Sequence, residues 1–232
     1  MTPKIAQEIL DRIVGQVFGY KNTLTLEQFA QKYAFDVRQP MQVADSTTGE
    51  MTWVGSTNPT KFMTLNNVKK QIEANDFMVP TQPIDTIETL LGLWNTTNYM
   101  ATERQLESIN IAESDNILKS ENVYRSQDVN TSKNVLFSDG AFFSEYVAAS
   151  QRASNNSFCI KIDDSALCSN SFMVTWSNKV ANSYFVSNCY DITDCMFCSH
   201  LSGKQYCVAN MQYDEAEYRR IKDMVVRWIL TS

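Results

Sequence analysis

A chain of 232 residues, 44% hydrophobic, has room for a sizeable core and for one or two domains. Its net charge of −6 speaks against nucleic acid as a partner, and no run of about 18 apolar residues offers a membrane span. The opening MTPKIAQEIL lacks the charged-then-apolar order of a secretion signal, which points to a cytoplasm, or to a particle assembled in one.

In chain order, Ile5, Ile9, Ile13, Val14, Val17 and Phe18 recur at helical spacing and predict an amphipathic helix over 3–18. Thr25 followed by Gln28 is a capping box for a second helix over 26–34. Thr47-Thr48-Gly49-Glu50 lies between short apolar runs and reads as a hairpin turn, and Asn58-Pro59 marks a loop. Helix signals return over 65–74 and over 85–98, with Pro80 and Pro83 between them. Residues 1–104 are thus expected to form an α-rich capping domain, because a solenoid needs its open ends covered.

From residue 105 a lattice sets in. Ser108, Ser114, Ser120, Ser126, Ser132, Ser138, Ser144 and Ser150 stand six apart. Three residues after each of the first seven comes Ile111, Ile117, Val123, Val129, Val135, Ala141 or Val147. A fixed short period is the mark of a solenoid. Beyond residue 156 the two columns exchange character: Val174, Val180, Val186 and Ile192 now alternate with Ser171, Ser177, Ser183 and Cys189. A third column, of Asn110, Asn116, Asn122, Asp128 and Asn134 and later Asn170, Asn182, Asn188 and Asp194, keeps its phase throughout. The lattice is therefore continuous, and one small plus one large residue per hexad suits a narrow packed interior. The Asx column suits corners, where these side chains tolerate left-handed backbone.

With one hexad as one side, the fold class is α+β, with a three-sided parallel β-helix of about 18 residues per coil over 105–212. A C-terminal amphipathic helix over 213–232 follows, with Asp214, Glu215 and Glu217 in its first turn. Stacking residues 18 apart gives two apolar outer strips, one with Leu136 and Phe172, the other with Phe142. Either the N-terminal helices cover them, or they are interfaces. Leu136, Phe142, Phe172 and the apolar terminus Trp228, Ile229 and Leu230 are accordingly the candidate interaction residues.

Cys195, Cys198, Cys189 and Cys207, with His200 nearby, have the ligand types for zinc. All six cysteines also fall on the inward columns, where reduced thiols are simply small core residues, and that is the reading adopted. No cofactor is expected. The hexad invites comparison with left-handed β-helix acyltransferases. Those space their inward positions four and two apart, place Gly after the aliphatic residue and use a His base. Here the spacing is three and three, and His200 is the single histidine. An acyltransferase using His200 stays as an alternative.

Asn188-Cys189-Tyr190-Asp191, Cys195-Met196-Phe197-Cys198, Leu201, Lys204-Gln205-Tyr206-Cys207, Asn210, Gln212-Tyr213 and Glu217-Tyr218 form a distinctive ending. It resembles the ending of a group of uncharacterised Cys/Asn-rich hexad-repeat β-helix proteins of ultra-small bacteria. Phe197, Gly203, Ala209 and Met211 depart from that pattern, and the Cys-rich zinc module of those relatives has no counterpart in residues 1–104, which lack Cys. The resemblance implies the solenoid and its C-terminal cap and carries no activity. The expected function is a non-enzymatic structural or protein-interaction subunit of a larger assembly, one version being a viral or phage particle component. Its partners would be other proteins or further copies, with neither nucleic acid nor membrane.

Overall fold

The computed structural model describes residues 1–57 and 61–231; the Asn58-Pro59 loop lies outside them. Helix α1 (Pro3–Phe18) starts at Thr2, whose hydroxyl accepts the Ile5 N–H, and stops at Gly19 with φ 75°. Such a stop needs left-handed backbone, which glycine supplies without strain. Helix α2 (Leu26–Tyr33) carries the Thr25–Gln28 capping box in full. Strands β1 (Met41–Ala44) and β2 (Met51–Val54) form the antiparallel hairpin expected around Gly49. Strand β3 (Lys61–Thr64), helix α3 (Leu65–Asn75), helix α4 (Ile87–Thr97) and strand β4 (Tyr99–Thr102) follow, with β3 and β4 parallel.

The 16 strands from β5 (Gln105–Leu106) through β6 (Ile109–Ala112) to β20 (Met211–Gln212) build the solenoid. Their register corrects the expected coil. Lys133 faces Glu145, Val135 faces Val147 and Leu136 faces Ala148, an offset of twelve residues. The coil therefore holds twelve residues, not eighteen, and residues 105–212 wind about nine turns, roughly 40 Å at ~4.8 Å per coil.

The reason lies in the backbone. From Glu107 to Ala209, every third residue has positive φ, between 45° and 60° except for Gly140 at 77° and Gly203 at 61°. The chain bends at each of them, four times per coil, so a hexad is half a coil with two bends rather than one straight side. The Asx column supplies part of this set. The rest includes Arg125, Thr131, Phe137, Lys161 and Trp176, residue types that pay about 1–2 kcal/mol each for left-handed backbone.

Hydrogen bonds between coils offset that cost. The Phe137 N–H donates to Tyr124 O, and the Ala149 N–H to Leu136 O, both at 3.0 Å. The residue after each of these bends points inward. There the Ser138 N–H donates to the Ser126 hydroxyl at 3.0 Å, and the Ser126 hydroxyl donates to Tyr124 O. The buried serines are thus a ladder that satisfies backbone amides of the next coil. The same ladder persists after the exchange of columns, as in Ser183 N–H to Ser171 Oγ. The other inward positions form the dry axis: Ile117, Val123, Val129, Val135 and Ala141 first, then Val174, Val180, Val186 and Ile192 with the cysteines.

Twelve-residue stacking puts Tyr124, Leu136, Ala148, Ile160, Phe172, Tyr184 and Met196 in one outer file, all buried. Helices α1 and α2 and the C-terminal helix α5 (Glu215–Thr231) cover it, contributing Leu10, Ile13, Phe29, Tyr218, Val226 and others to one cluster. The first two helices therefore lie along the side of the solenoid and cover an apolar strip there, one of the two outcomes expected for such strips. The Tyr184 hydroxyl donates to Val17 O at 2.6 Å, and Arg12 lies 4.4 Å over the Tyr146 ring. The β1–β2 hairpin sits by the first coil instead. Asp115 accepts from the Gly55 N–H and from Arg104, and the Glu103 N–H donates to Trp53 O. At the far end, β20 turns back antiparallel on β19 (Gln205–Val208).

Candidate interaction surfaces

The twelve-residue coil redistributes the residues singled out as contact points. Leu136 and Phe172 are in the single covered file, buried against the molecule's own helices. Ile229 is buried as well, and its carbonyl accepts from Lys32 Nζ at 3.0 Å and from the Tyr33 hydroxyl at 3.3 Å. Lys32 thus sits on the negative end of α5, and the helix is locked onto its own chain. Leu230 is half-buried beside it. Trp228 is 53% exposed, with its ring 5.9 Å from Phe185. Phe142 stands half-buried on the opposite, uncovered face of the coil. Three of the six expected contact residues are therefore consumed internally, Leu136 and Phe172 because an 18-residue stack mixes two faces that a twelve-residue stack separates, and Ile229 because α5 docks on its own chain.

The cysteines occupy the axis. All six are free and buried, and among the described residues no three metal-ligating side chains converge. Cys195 faces Cys207 in the next coil, with Cys198 one inward position further along the same coil. The Cys198 sulfur and burial together push the Cys195 thiol up. Burial pushes Cys168 to about 12. A thiolate is the reactive and metal-binding form, so burial makes Cys159 and Cys168 packing residues, while the hydrogen bond with the Cys195 thiol lowers Cys198. His200 is exposed at a bend, with Nδ1 2.6 Å from the Ser199 hydroxyl.

The surface that sequence reasoning missed is at residues 72–109. Neither α3 nor α4 buries a residue. Yet α4 presents Ile87, Leu91 and Trp94 at 65%, 55% and 57% exposure, and Leu90 is exposed with them. Ile72, Met78, Val79, Ile84, Leu106 and Ile109 are exposed too. Ten large apolar side chains between residues 72 and 109 are thus exposed, four of them on α4. The first-coil strands β5 and β6 each pair on one side only among the described residues, so a strand edge adjoins this segment in the chain. Residues 71–103 contain five acids, Glu73, Asp76, Asp85, Glu88 and Glu103, and no Lys, Arg or His. The signal was visible as apolar residues at helical spacing. What could not be read was that, among the described residues, nothing buries them.

No helix of the described residues is long and apolar enough to cross a membrane. No protein-family model and no curated protein sequence matches the chain.

Proposed function

We propose that the protein is a non-enzymatic β-solenoid subunit that binds another protein through α4 and the first coil. The observation that carries this reading is α4 itself, an apolar helix with no buried residue. Helix α4 carries Glu88 and no Lys or Arg, the cations with which amphipathic membrane helices meet an anionic lipid surface. The fitting occupant is a protein with an apolar groove rimmed by basic residues. The solenoid behind the helix acts as a rigid mount, and a place in a viral or phage particle is one form of that role.

Native mass tests it. Tagged wild-type protein isolated gently from its natural source should run well above its 26.5 kDa monomer mass. A Leu91→Asp, Trp94→Asp variant should run as the monomer with unchanged circular dichroism, since both side chains are exposed. A wild-type chain already monomeric in that extract, or a complex that survives both substitutions, overturns the reading.

A further inference from the structure

The side of the solenoid opposite the helices carries a groove. Its floor is the file Leu118, Asn130, Phe142, Ser154, Ala166, Asn178 and Tyr190, whose coil-to-coil register is continuous. Six coil steps at ~4.8 Å make it about 30 Å long. Two cavities lie end to end in it, of about 370 Å³ and 400 Å³, and both are lined by Arg152.

One wall is a ladder of bend residues. Arg152 Nε and Nη2 donate to Asp164, Nη2 also to Asp163, and the Trp176 Nε1–H donates to Asp164 Oδ2 at 3.0 Å. The indole is therefore held by its edge while 59% of the residue is exposed. Tyr190, one coil on, is 58% exposed, and Phe142 stands further back along the floor. Between these rings the floor narrows to the small side chains of Ser154 and Ala166. Gly140 keeps the wall low where a Cβ would come within 3.3 Å of the Arg152 backbone.

We propose that this groove binds a neutral glycan chain. Sugar rings pair an apolar C–H face with a rim of hydroxyl donors. The held indole and the exposed phenol of Tyr190 supply flat apolar contacts with polar edges, and Asp128, Asp139 and Asp164 supply acceptors. The carboxylates outnumber Arg152, which is already paired, so nucleic acids and sulfated or uronate chains are repelled. A peptide adding as a strand needs a free edge, and the strands here pair with the coils on both sides. The repeat of the coils gives a repeating polymer equivalent contacts along the file.

The test uses the full chain on a printed panel of neutral hexose and N-acetylhexosamine oligomers of graded length, with sulfated and uronate oligomers and short peptides beside them. Calorimetry then measures the hits. Expected are binding to at least one neutral series that tightens with chain length, and at least tenfold weaker binding by Trp176→Ala. Trp228→Ala, altered on α5, should bind like wild type. Retention of no neutral oligomer, binding indifferent to Trp176, or a preference for the anionic oligomers or the peptides each overturns the proposal. Failure here leaves the α4 interface untouched, because the two surfaces share no residue.

Discussion

Serine is the residue on which the coil depends. Each inward hydroxyl both donates and accepts: Ser138 Oγ donates to Leu136 O and accepts the Ser150 N–H, deep in the solenoid. Volume alone would permit alanine. Ser138→Ala would leave the Ser150 amide buried without a partner, at a cost of about 1–3 kcal/mol. Ser138→Cys should cost less, since a sulfur already takes this role where the Leu201 N–H donates to Cys189 Sγ. Chemical denaturation of the three proteins checks the order; equal stability for Ala and Ser would refute the ladder. The serine column was plain in the amino-acid order, and so was its inward aim. Which amide of the next coil it accepts was not, because that depends on the twelve-residue turn.

Among the elements, the two N-terminal helices and the hairpin were legible because their signals are local. Thr25 with Gln28, Thr2 with Pro3, and Gly19 each act within one turn of backbone. The hairpin also holds a buried carboxylate. Burial pulls the Asp45 carboxyl up, but donors from the Thr47 hydroxyl, Thr64 N–H, Asn67 amide and Thr47 N–H outweigh it and hold it well below the usual range. A depressed folded value stabilises above the unfolded value and is lost as pH falls below about 3.9. Asp45→Asn should therefore melt lower than wild type near pH 6, with the gap closing as the pH is taken down to 3. A gap independent of pH would show that the charge contributes nothing. Where the helices would lie was not legible, since α1 meets coils more than a hundred residues away, through contacts such as Val17 with Tyr184.

The whole molecule is a stack tied along one side. Contacts between coils are between nearest neighbours, which favours fraying from the ends. Helices α1, α2 and α5 bridge many coils through one apolar cluster and oppose that. The six buried thiols report on the balance. In native buffer at pH 8 a small alkylating reagent should label none within an hour, and all six after denaturation. In moderate denaturant Cys207 and Cys198, near the last coil, should react before Cys159. Simultaneous labelling of all six would mean that the helices make unfolding fully cooperative; rapid native labelling would mean that the axis is not dry.

The order of residues settled which positions point inward and that the coils are continuous, because an inward set at every third position buries the same side chains however many sides a coil has. It could not settle that number. Twelve or eighteen residues per turn are equally compatible with a hexad, and the choice falls to the left-handed bend at every third residue, most of it carried by side chains with no preference for that backbone. With twelve, the apolar outer residues gather in one file under the helices, Phe142, Trp176 and Tyr190 come to an open groove, and α4 is left outside. Those placements are made by contacts between distant parts of the chain, and no local signal encodes them.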